Sequence, residues 1–575
     1  MSQLPDPWLT VLILAGGSLN NKQIGPLPSL SNNPADLADG SGLARDQINQ
    51  HFRKLDGVKQ CLLSDQSNTP IRPHLCDSGL EKLLIEPQSD VIASIKKALP
   101  KIETPWLLLQ PITSLPTLDV ELCYSIELGE RPIPRENWSA VEAPETNKPR
   151  FLSRDQSVST DEKPSHPFTG VICAPTELIE QLLPAAGSDL LLLAERLWKT
   201  GKVRFRMAPW MDLGHRATYS YSRLNRLKSR SFNKVSYDPR ADLIRKCSSD
   251  QERLVQEYNY LRNLPLPLQR FFPALASQNM STSNQEPSCL ELEYIPFPNL
   301  AELFLHWQLG SNGWRQIARR LATARKIMLD SDAPEPTPQP VSTKWLYSQK
   351  LAKRLSLLRK QPPDLTSNLG LKWEKFWESP LHLQLVNPQG RETTKVMKLT
   401  SPHAASQAAL KALPPLEKPQ QLRRTHGDLC FNNILADPYS GSIRMIDPRG
   451  EAAPHSQWPS GYGDPRYDLV KLLHSCRYLY DIVCNSMFHL KLNDNVLTLQ
   501  IDVPQHYDIV NNAIQEEVIK DELNPYEERF LTASLFLSML PLHRQEPLHC
   551  VMFSCIAVLI LENRFDNVLK ASLSI

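Results

Sequence analysis

The sequence predicts two domains built on different plans: an α/β layered domain over residues 1–225 and a mixed α and β domain over 226–575. Three observations carry this. A chain of 575 residues is too long for one hydrophobic core. Strand-like and helix-like apolar patterns alternate through the first part. Beyond residue 225 the character changes to long helical stretches on either side of a motif-dense region, 423–475.

The first domain opens on Trp8 to Leu14, a continuous aliphatic run stopped by Ala15-Gly16-Gly17, as a buried parallel strand is. Residues 24–45, rich in Pro, Ser, Asn, Asp and Gly, read as a loop. Trp106 to Gln110 is a second strand, and residues 139–166 lack apolar periodicity and read as a flexible excursion. Phe168 to Cys173 resumes a strand, and Leu178 to Trp198 has helical spacing. Between Arg223 and Arg253, nine basic residues face four acidic ones. A strand at Asp242 to Lys246, a helix at Gln251 to Leu264 and a strand at Cys289 to Ile295 follow.

Apolar residues make up 41% of the chain and charged ones 22%, with a net charge of +2, so no global charge directs it to nucleic acid or to a charged membrane. The 11 cysteines show no metal-site spacing and read as reduced thiols. Trp8 to Ala15 is short for a signal peptide. Cys550 to Leu561, at 12 residues, is short of the ~17 that a membrane span needs and reads as a buried helix. A cytoplasmic protein with no membrane span is expected.

The most specific pattern is Thr425-His426-Gly427-Asp428-Leu429-Cys430-Phe431-Asn432-Asn433-Ile434-Leu435, followed by Met445-Ile446-Asp447-Pro448-Arg449-Gly450. Phosphoryl transfer needs a carboxylate to orient the attacking hydroxyl, oxygen ligands for Mg²⁺ and a cation on the phosphates. Asp428 and Asn433 offer a base and a metal ligand from one short loop. Asp447 can join them if the intervening apolar stretches, separated by a turn at Tyr439 to Ser442, form a β-hairpin. This H-G-D-x-x-x-x-N…I-D-x-x-G pattern resembles the aminoglycoside-phosphotransferase-like kinases, which include choline, homoserine and several sugar kinases.

The resemblance runs from near Ser229 to the end of the chain. It implies an α+β protein-kinase-like bilobal domain with an N-lobe over 226–300 and a C-lobe over 301–575, and ATP and Mg²⁺ as cofactors. Within it, Asp428 is the catalytic residue and Asn433 and Asp447 are the metal ligands. Lys246 contacts the phosphates and pairs with Glu257, with Arg245 and Glu252 as competitors for those two roles. Leu292-Glu293-Tyr294-Ile295-Pro296 looks like the hinge strand, so Glu293 and Ile295 are assigned to ATP binding. Asp468, in Gly463-Asp464-Pro465-Arg466-Tyr467-Asp468, braces the catalytic loop. Ser229 to Lys234 stands where a phosphate-covering turn belongs, without its glycines.

In the first domain, Leu12 to Gly17 resembles the opening of sugar-phosphate nucleotidyltransferases, and Trp210-Met211-Asp212-Leu213-Gly214 resembles their metal-binding segment. The implied fold is an α/β nucleotidyltransferase-like domain with a Rossmann-type mixed sheet, and the implied site is Gly16, Gly17, Lys22 and Asp212. Phe168 to Val171 looks like the strand closing the sugar pocket. Trp106 to Gln110 should lead into Gly-Asp but leads into Pro111-Ile112-Thr113, so a second metal carboxylate is missing unless Asp119 supplies it, and after Gly17 only Lys22 supplies a cation. A degenerate domain that binds a nucleotide or sugar phosphate, or only scaffolds, is therefore expected, with an active nucleotidyltransferase as the alternative.

Taken together, the expected function is ATP-dependent phosphorylation of a hydroxyl on a small molecule, a sugar or amino alcohol, as in capsule or surface-polysaccharide biosynthesis. A nucleotide-binding regulatory pseudoenzyme is the alternative from a different class. A quaternary ammonium acceptor would need aromatic walls, and Trp314, Trp345, Trp373 and Trp377 lie in the region that could supply them.

Overall fold

The computed structural model describes residues 8–15, 37–39, 42–55, 57–65, 80–84, 90–115, 125–130, 139–153, 165–214, 233–238, 241–276, 289–307, 309–331, 342–387, 391–417, 422–449 and 461–573. The chain divides into two compact units, Met1–Leu227 with His306–Gln308, and Lys228–Leu305 with Leu309–Ile575.

The first unit is a nine-stranded mixed sheet. Its strands are β1 (Leu9–Leu14), β2 (Val58–Asp65), β3 (Leu80–Leu84), β4 (Trp106–Pro111), β5 (Ser125–Gly129), β6 (Ala140–Glu142), β7 (Arg150–Leu152), β8 (Ser165–Pro175) and β9 (Arg204–Ala208). The order is β7-β6-β8-β4-β1-β2-β3, with β5 pairing to β8 and β9. β1 runs parallel to both β2 and β4, and all six of its residues are buried. That is why its sequence is an uninterrupted aliphatic run. Helices α1 (Ala44–Arg53), α2 (Val91–Ala98), α3 (Thr176–Leu182) and α4 (Leu190–Lys199) complete the layers. Asp90 and Asp189 cap α2 and α4 by accepting the Ala93 and Leu191 N–H groups. Ile92, Ile95, Ile179, Leu193 and Leu197 pack with Leu12, Leu107 and Leu109 in the core.

Two expectations change here. The helical spacing of Leu178 to Trp198 does not make one helix: Pro184 sits in a 3₁₀ turn after α3, and Gly187 turns at φ +61° before α4. Part of 139–166 is ordered as β6 and β7, antiparallel strands of three residues each, too short to show alternation. Within 24–45, residues Ala38–Asp39 pair with Gly42–Leu43 and α1 begins at Ala44. Leu37 is buried and accepts the Ala44 N–H, and residues 24–36, 40 and 41 lie outside the described residues.

The second unit begins with an antiparallel sheet of β10 (Asn233–Asp238), β11 (Leu243–Ser248) and β12 (Cys289–Glu293), with α5 (Gln251–Arg262) after β11. Cys247 and Cys289 face each other across β11 and β12 and form a disulfide, which corrects the expectation of reduced thiols throughout. The pairing arises from strand register, which sequence spacing does not reveal.

The remainder is mostly helical: α6 (Ser311–Asp330), α7 (Ser348–Lys360), α8 (Trp373–Glu378), α9 (Pro402–Ala412), α10 (Pro465–Cys476), α11 (Pro525–Met539) and α12 (Pro547–Leu561). The strands are β13 (Leu381–Val386), β14 (Met397–Leu399), β15 (Ile434–Ala436), β16 (Ile443–Met445), β17 (Phe488–Asn493) and β18 (Val496–Ile501). β14-β13-β18-β17 form a four-stranded sheet that the helical reading of these flanks did not anticipate. β15 and β16 form the hairpin expected between Asn433 and Asp447. In α12 every residue from His549 to Ile560 is buried, which accounts for its apolar run. Among the described residues no single helix is long and apolar enough to cross a membrane.

Candidate active site

The motif loop is held by its own backbone and by helix α10. His426 is fully buried, and burial holds its imidazole below the usual histidine range. Its Nε2 lies 3.0 Å from the Ile446 carbonyl, while its Nδ1 lies 3.3 Å from the Asp428 N–H. The neutral tautomer with the proton on Nε2 satisfies both contacts. Asp468 on α10 accepts the His426 N–H on one oxygen and the Gly427 N–H on the other, each at 2.8 Å. Gly427 has φ +77°, and a Cβ there would lie 2.7 Å from the Arg449 Cβ. Arg449 returns its N–H to the His426 carbonyl at 2.7 Å, so only glycine fits where the loop and the segment after β16 touch.

The hairpin then brings the second half of the motif to the first. Ile434 pairs with Met445, and the Ile446 N–H donates to the Asn433 carbonyl at 2.9 Å. Asn433 Nδ2 donates to the Asp428 carbonyl at 2.9 Å, which orients the amide. Asp447 takes a left-handed conformation, φ +55°, at the end of this path. Its Oδ1 lies 2.5 Å from Lys246 Nζ, which is 2.6 Å from Glu257 Oε2.

Lys246 is the inward cation of β11. Arg245, on the opposite face, pairs at 2.7 Å with Glu291 of the neighbouring strand, so strand alternation separates the two competitors. Likewise Glu257 is buried on α5 and Glu252 is exposed. Burial opposes the charge on Lys246, but the carboxylates of Asp447 and Glu257 hold its ammonium above the usual lysine range. Burial, with the Asp447 carboxylate, pushes the Glu257 carboxyl up. Two carboxylates thus share one ammonium, a balance short of positive charge.

Asp428 has both oxygens in ion pairs. Oδ1 is 2.9 Å from Lys471 Nζ, and Oδ2 accepts from Arg449 at 2.8 and 3.2 Å. Burial alone would raise this carboxyl, but the Lys471 ammonium, with a smaller contribution from Lys350, holds it well below the usual carboxylate range. The sequence reading had not singled out Arg449, Lys471 or Lys350. Arg449 lies two residues past Asp447, and Lys471 lies three past Asp468, so helical spacing puts it one turn along α10. Lys350 has no local signal.

A further group supports the loop from below. Asp481 is fully buried and accepts the Asn432 amide at 2.7 Å, and burial pushes its carboxyl up to about 7. An unfolded aspartate titrates near ~4, so the stability this group contributes is complete below about pH 4 and is lost as pH rises through about 7. Asp481→Asn keeps an acceptor for Asn432 and removes the buried charge. It is expected to flatten the stability–pH curve between about pH 4 and 7, and to raise unfolding free energy at pH 8 by about 2–4 kcal/mol. Urea unfolding across that range checks this, and a curve parallel to wild type contradicts it.

At the expected hinge, the Glu293 N–H donates to the Ala274 carbonyl at 2.9 Å and its carboxylate accepts the Ala274 N–H at 3.0 Å. The Tyr294 N–H goes to Asp242 at 3.3 Å, and the Ile295 side chain is buried. The Glu293 and Tyr294 N–H groups are therefore engaged within the protein.

Trp314 does not share a site with Trp373 and Trp377. Trp314 is fully buried and stacks with Phe431 and His506 in the core. Trp373 and Trp377 stack on each other and line a cleft of about 260 Å³ between α7, α8 and α9, with Arg359, Glu374, Glu378 and His403.

In the first unit, Asp212 is buried beside Ser114 in a short antiparallel pairing, and its Oδ1 accepts the Gly214 N–H at 3.0 Å. The Leu213 N–H binds the Thr113 carbonyl and the Ile112 N–H binds the Leu14 carbonyl, so Asp212 stands at the carboxyl ends of β1 and β4. Gln110, at the end of the strand that should lead into Gly-Asp, is buried and gives its amide to the Ser114 carbonyl at 2.5 Å. Gly170, in the strand segment expected to close a pocket, has φ +81° and abuts the Pro111 ring. Gly16, Gly17 and Lys22 lie outside the described residues.

No family model and no curated protein matches the chain. Among solved structures, it is similar to HddC from Yersinia pseudotuberculosis at 14% identity, covering 38% of this chain and 99% of that one, with a TM-score of 0.28. It is similar to the UTP-bound UGPase from Acinetobacter baumannii at 11% identity, covering 38% and 93%, with a TM-score of 0.29. It is also similar to the GDP complex of wild-type aminoglycoside 2'-phosphotransferase-IIIa at 12% identity, covering 59% and 91%, with a TM-score of 0.34. At such scores the functional reading rests on the site geometry.

Proposed function

We propose that residues 226–575 form an ATP-dependent phosphotransferase that transfers the γ-phosphate to a hydroxyl of a small molecule, with 226–300 as the smaller lobe and 301–575 as the larger. The observation that carries this is the meeting of Lys246 and Asp447, 201 residues apart in sequence and paired at 2.5 Å, with Glu257 on the same ammonium at 2.6 Å. Asp428 and Asn433 stand on the loop tied to the same hairpin.

The donor set fits a hard divalent cation: Asp447 and Asn433 offer carboxylate and amide oxygens, beside a cluster short of positive charge. Among the described residues no group of three or more His, Cys, Asp or Glu side chains could hold a metal alone. Two protein donors suit Mg²⁺, which completes its shell with phosphate oxygens and water. When bound, Mg²⁺ neutralises charge on the transferring phosphates.

Lys246, held by Glu257, grips the phosphates. Glu293 and Ile295 offer the hinge backbone positions for the adenine ring, with the Glu293 N–H itself engaged by Ala274. Asp428 orients the acceptor hydroxyl. Its two ion pairs make it a weak base, so it receives the proton late, when bonding to phosphorus has advanced. A loose transition state needs no more. Most of the rate then comes from positioning and charge neutralisation.

The first unit is a nucleotidyltransferase-like module in this reading, with Gly16, Gly17, Lys22 and Asp212 at its nucleotide or sugar-phosphate site. It is catalytically degenerate, because Gln110-Pro111 supplies no second carboxylate. A cytoplasmic role in capsule or surface-polysaccharide biosynthesis accords with such a pairing. Acceptor-dependent ADP formation by the purified chain tests the proposal. ATP binding with no turnover on any acceptor would favour a regulatory pseudoenzyme.

A further inference from the structure

The charges around Asp428 are unbalanced, and the imbalance bears on the acceptor. One carboxylate there faces two ion-paired cations, Lys471 and Arg449. A third cation, Lys350 of α7, also acts on Asp428 electrostatically. Its Nζ donates to the Tyr467 hydroxyl at 2.6 Å and lies 5.0 Å from the centre of the Tyr467 ring, which has Lys471 6.0 Å from the same centre. The Tyr467 side chain is thus close to two ammonium groups. Among the described residues, Lys350 has no carboxylate within ion-pair distance.

The neighbouring carboxylates are committed elsewhere. Asp464 binds Arg466 at 2.6 Å and the Tyr347 hydroxyl at 3.1 Å. Asp468 is spent on the loop N–H groups, Asp447 and Glu257 are on Lys246, and Glu417 accepts the Ser348 N–H on one oxygen. Arg449, two residues beyond Asp447, is paired with Asp428. Lys350 enters on a helix that carries none of the phosphoryl-handling residues. An acceptor bearing ammonium groups would meet like charge here, and one bearing an anion would find a partner for a cation whose hydrogen bond, among the described residues, goes to a phenol.

We infer that the acceptor is a hydroxyl compound that already carries an anion, a phosphorylated sugar or a hydroxy acid, with Lys350 receiving the phosphate or carboxylate beside Asp428. This rests on the phosphotransferase reading above and narrows it, since amino alcohols and amino sugars fall outside the class.

The test is steady-state ADP formation by the full chain with Mg-ATP and four matched probes: a hexose, its amino sugar, its phosphate monoester and its aldonic acid. Wild type is expected to prefer an anionic probe over the neutral hexose by at least about tenfold in kcat/KM. Lys350→Glu is expected to lower that value about 10- to 100-fold, through KM more than kcat, and to narrow or reverse the gap to the amino sugar. Lys350→Met, which keeps the apolar stem over Tyr467, is expected to fall between the two and covers the case in which Lys350→Glu does not fold. Turnover that favours the hexose or the amino sugar, or a preference unmoved by either variant, overturns this inference and leaves the phosphotransferase reading standing. No turnover with any probe overturns both.

Discussion

Asp428→Asn is expected to lower kcat by about 10³-fold while leaving ATP affinity within about threefold of wild type. The amide keeps the size of the side chain and one acceptor oxygen, so the loop geometry survives. What disappears is the charge that orients the acceptor hydroxyl and receives its proton. Lys471 and Arg449 then lose their shared counter-charge, at 13% and 20% side-chain exposure. A fall in thermal stability is expected as well, since removing one member of a largely buried ion pair leaves the others uncompensated. Single-turnover kinetics beside nucleotide-binding calorimetry separates the two effects. Turnover within tenfold of wild type would show that the hydroxyl is oriented by some other group.

Asp447→Ala should have an equal or larger effect, about 10³-fold or more on kcat/KM for Mg-ATP, because it deletes the only carboxylate among the two proposed metal donors. It differs from the first variant in its signature. Nucleotide affinity in the presence of Mg²⁺ should fall, whereas affinity without Mg²⁺ should change little. Lys246 would retain Glu257 as partner, so the variant should fold. Equal Mg²⁺ dependence of nucleotide binding in wild type and variant would remove Asp447 from the metal site.

Much of this site was legible in the sequence because each part of it is local. His426 to Asn433 lie on one loop, and the turn between two apolar runs announced the hairpin that carries Asp447 back to it. Strand alternation separates Lys246 from Arg245, and burial on α5 separates Glu257 from Glu252. What was not legible depends on register or on helix packing. The partners of Asp428 come from α10 and from the segment after Asp447, and Lys350 comes from α7, joined only by tertiary structure. The Cys247–Cys289 pair depends on the register of β11 and β12, 42 residues apart in sequence. Apolar periodicity also failed to show the break between α3 and α4, because Leu178 to Trp198 keeps its apolar content through Pro184 and Gly187. Four tryptophans close in sequence suggested a common cage, yet Trp314 is core and Trp373 and Trp377 line a different cleft. In the first unit, Gln110 shows why the missing aspartate matters: its amide closes on Ser114, beside Asp212.

The most direct test of the central claim is Mg-ATP consumption by the purified chain over a panel of sugars, sugar phosphates, hydroxy acids and amino alcohols, with Asp447→Ala alongside. Acceptor-dependent ADP release by wild type that is abolished in Asp447→Ala is the result predicted here. ATP binding without turnover on any acceptor, or turnover that survives in Asp447→Ala, would contradict it.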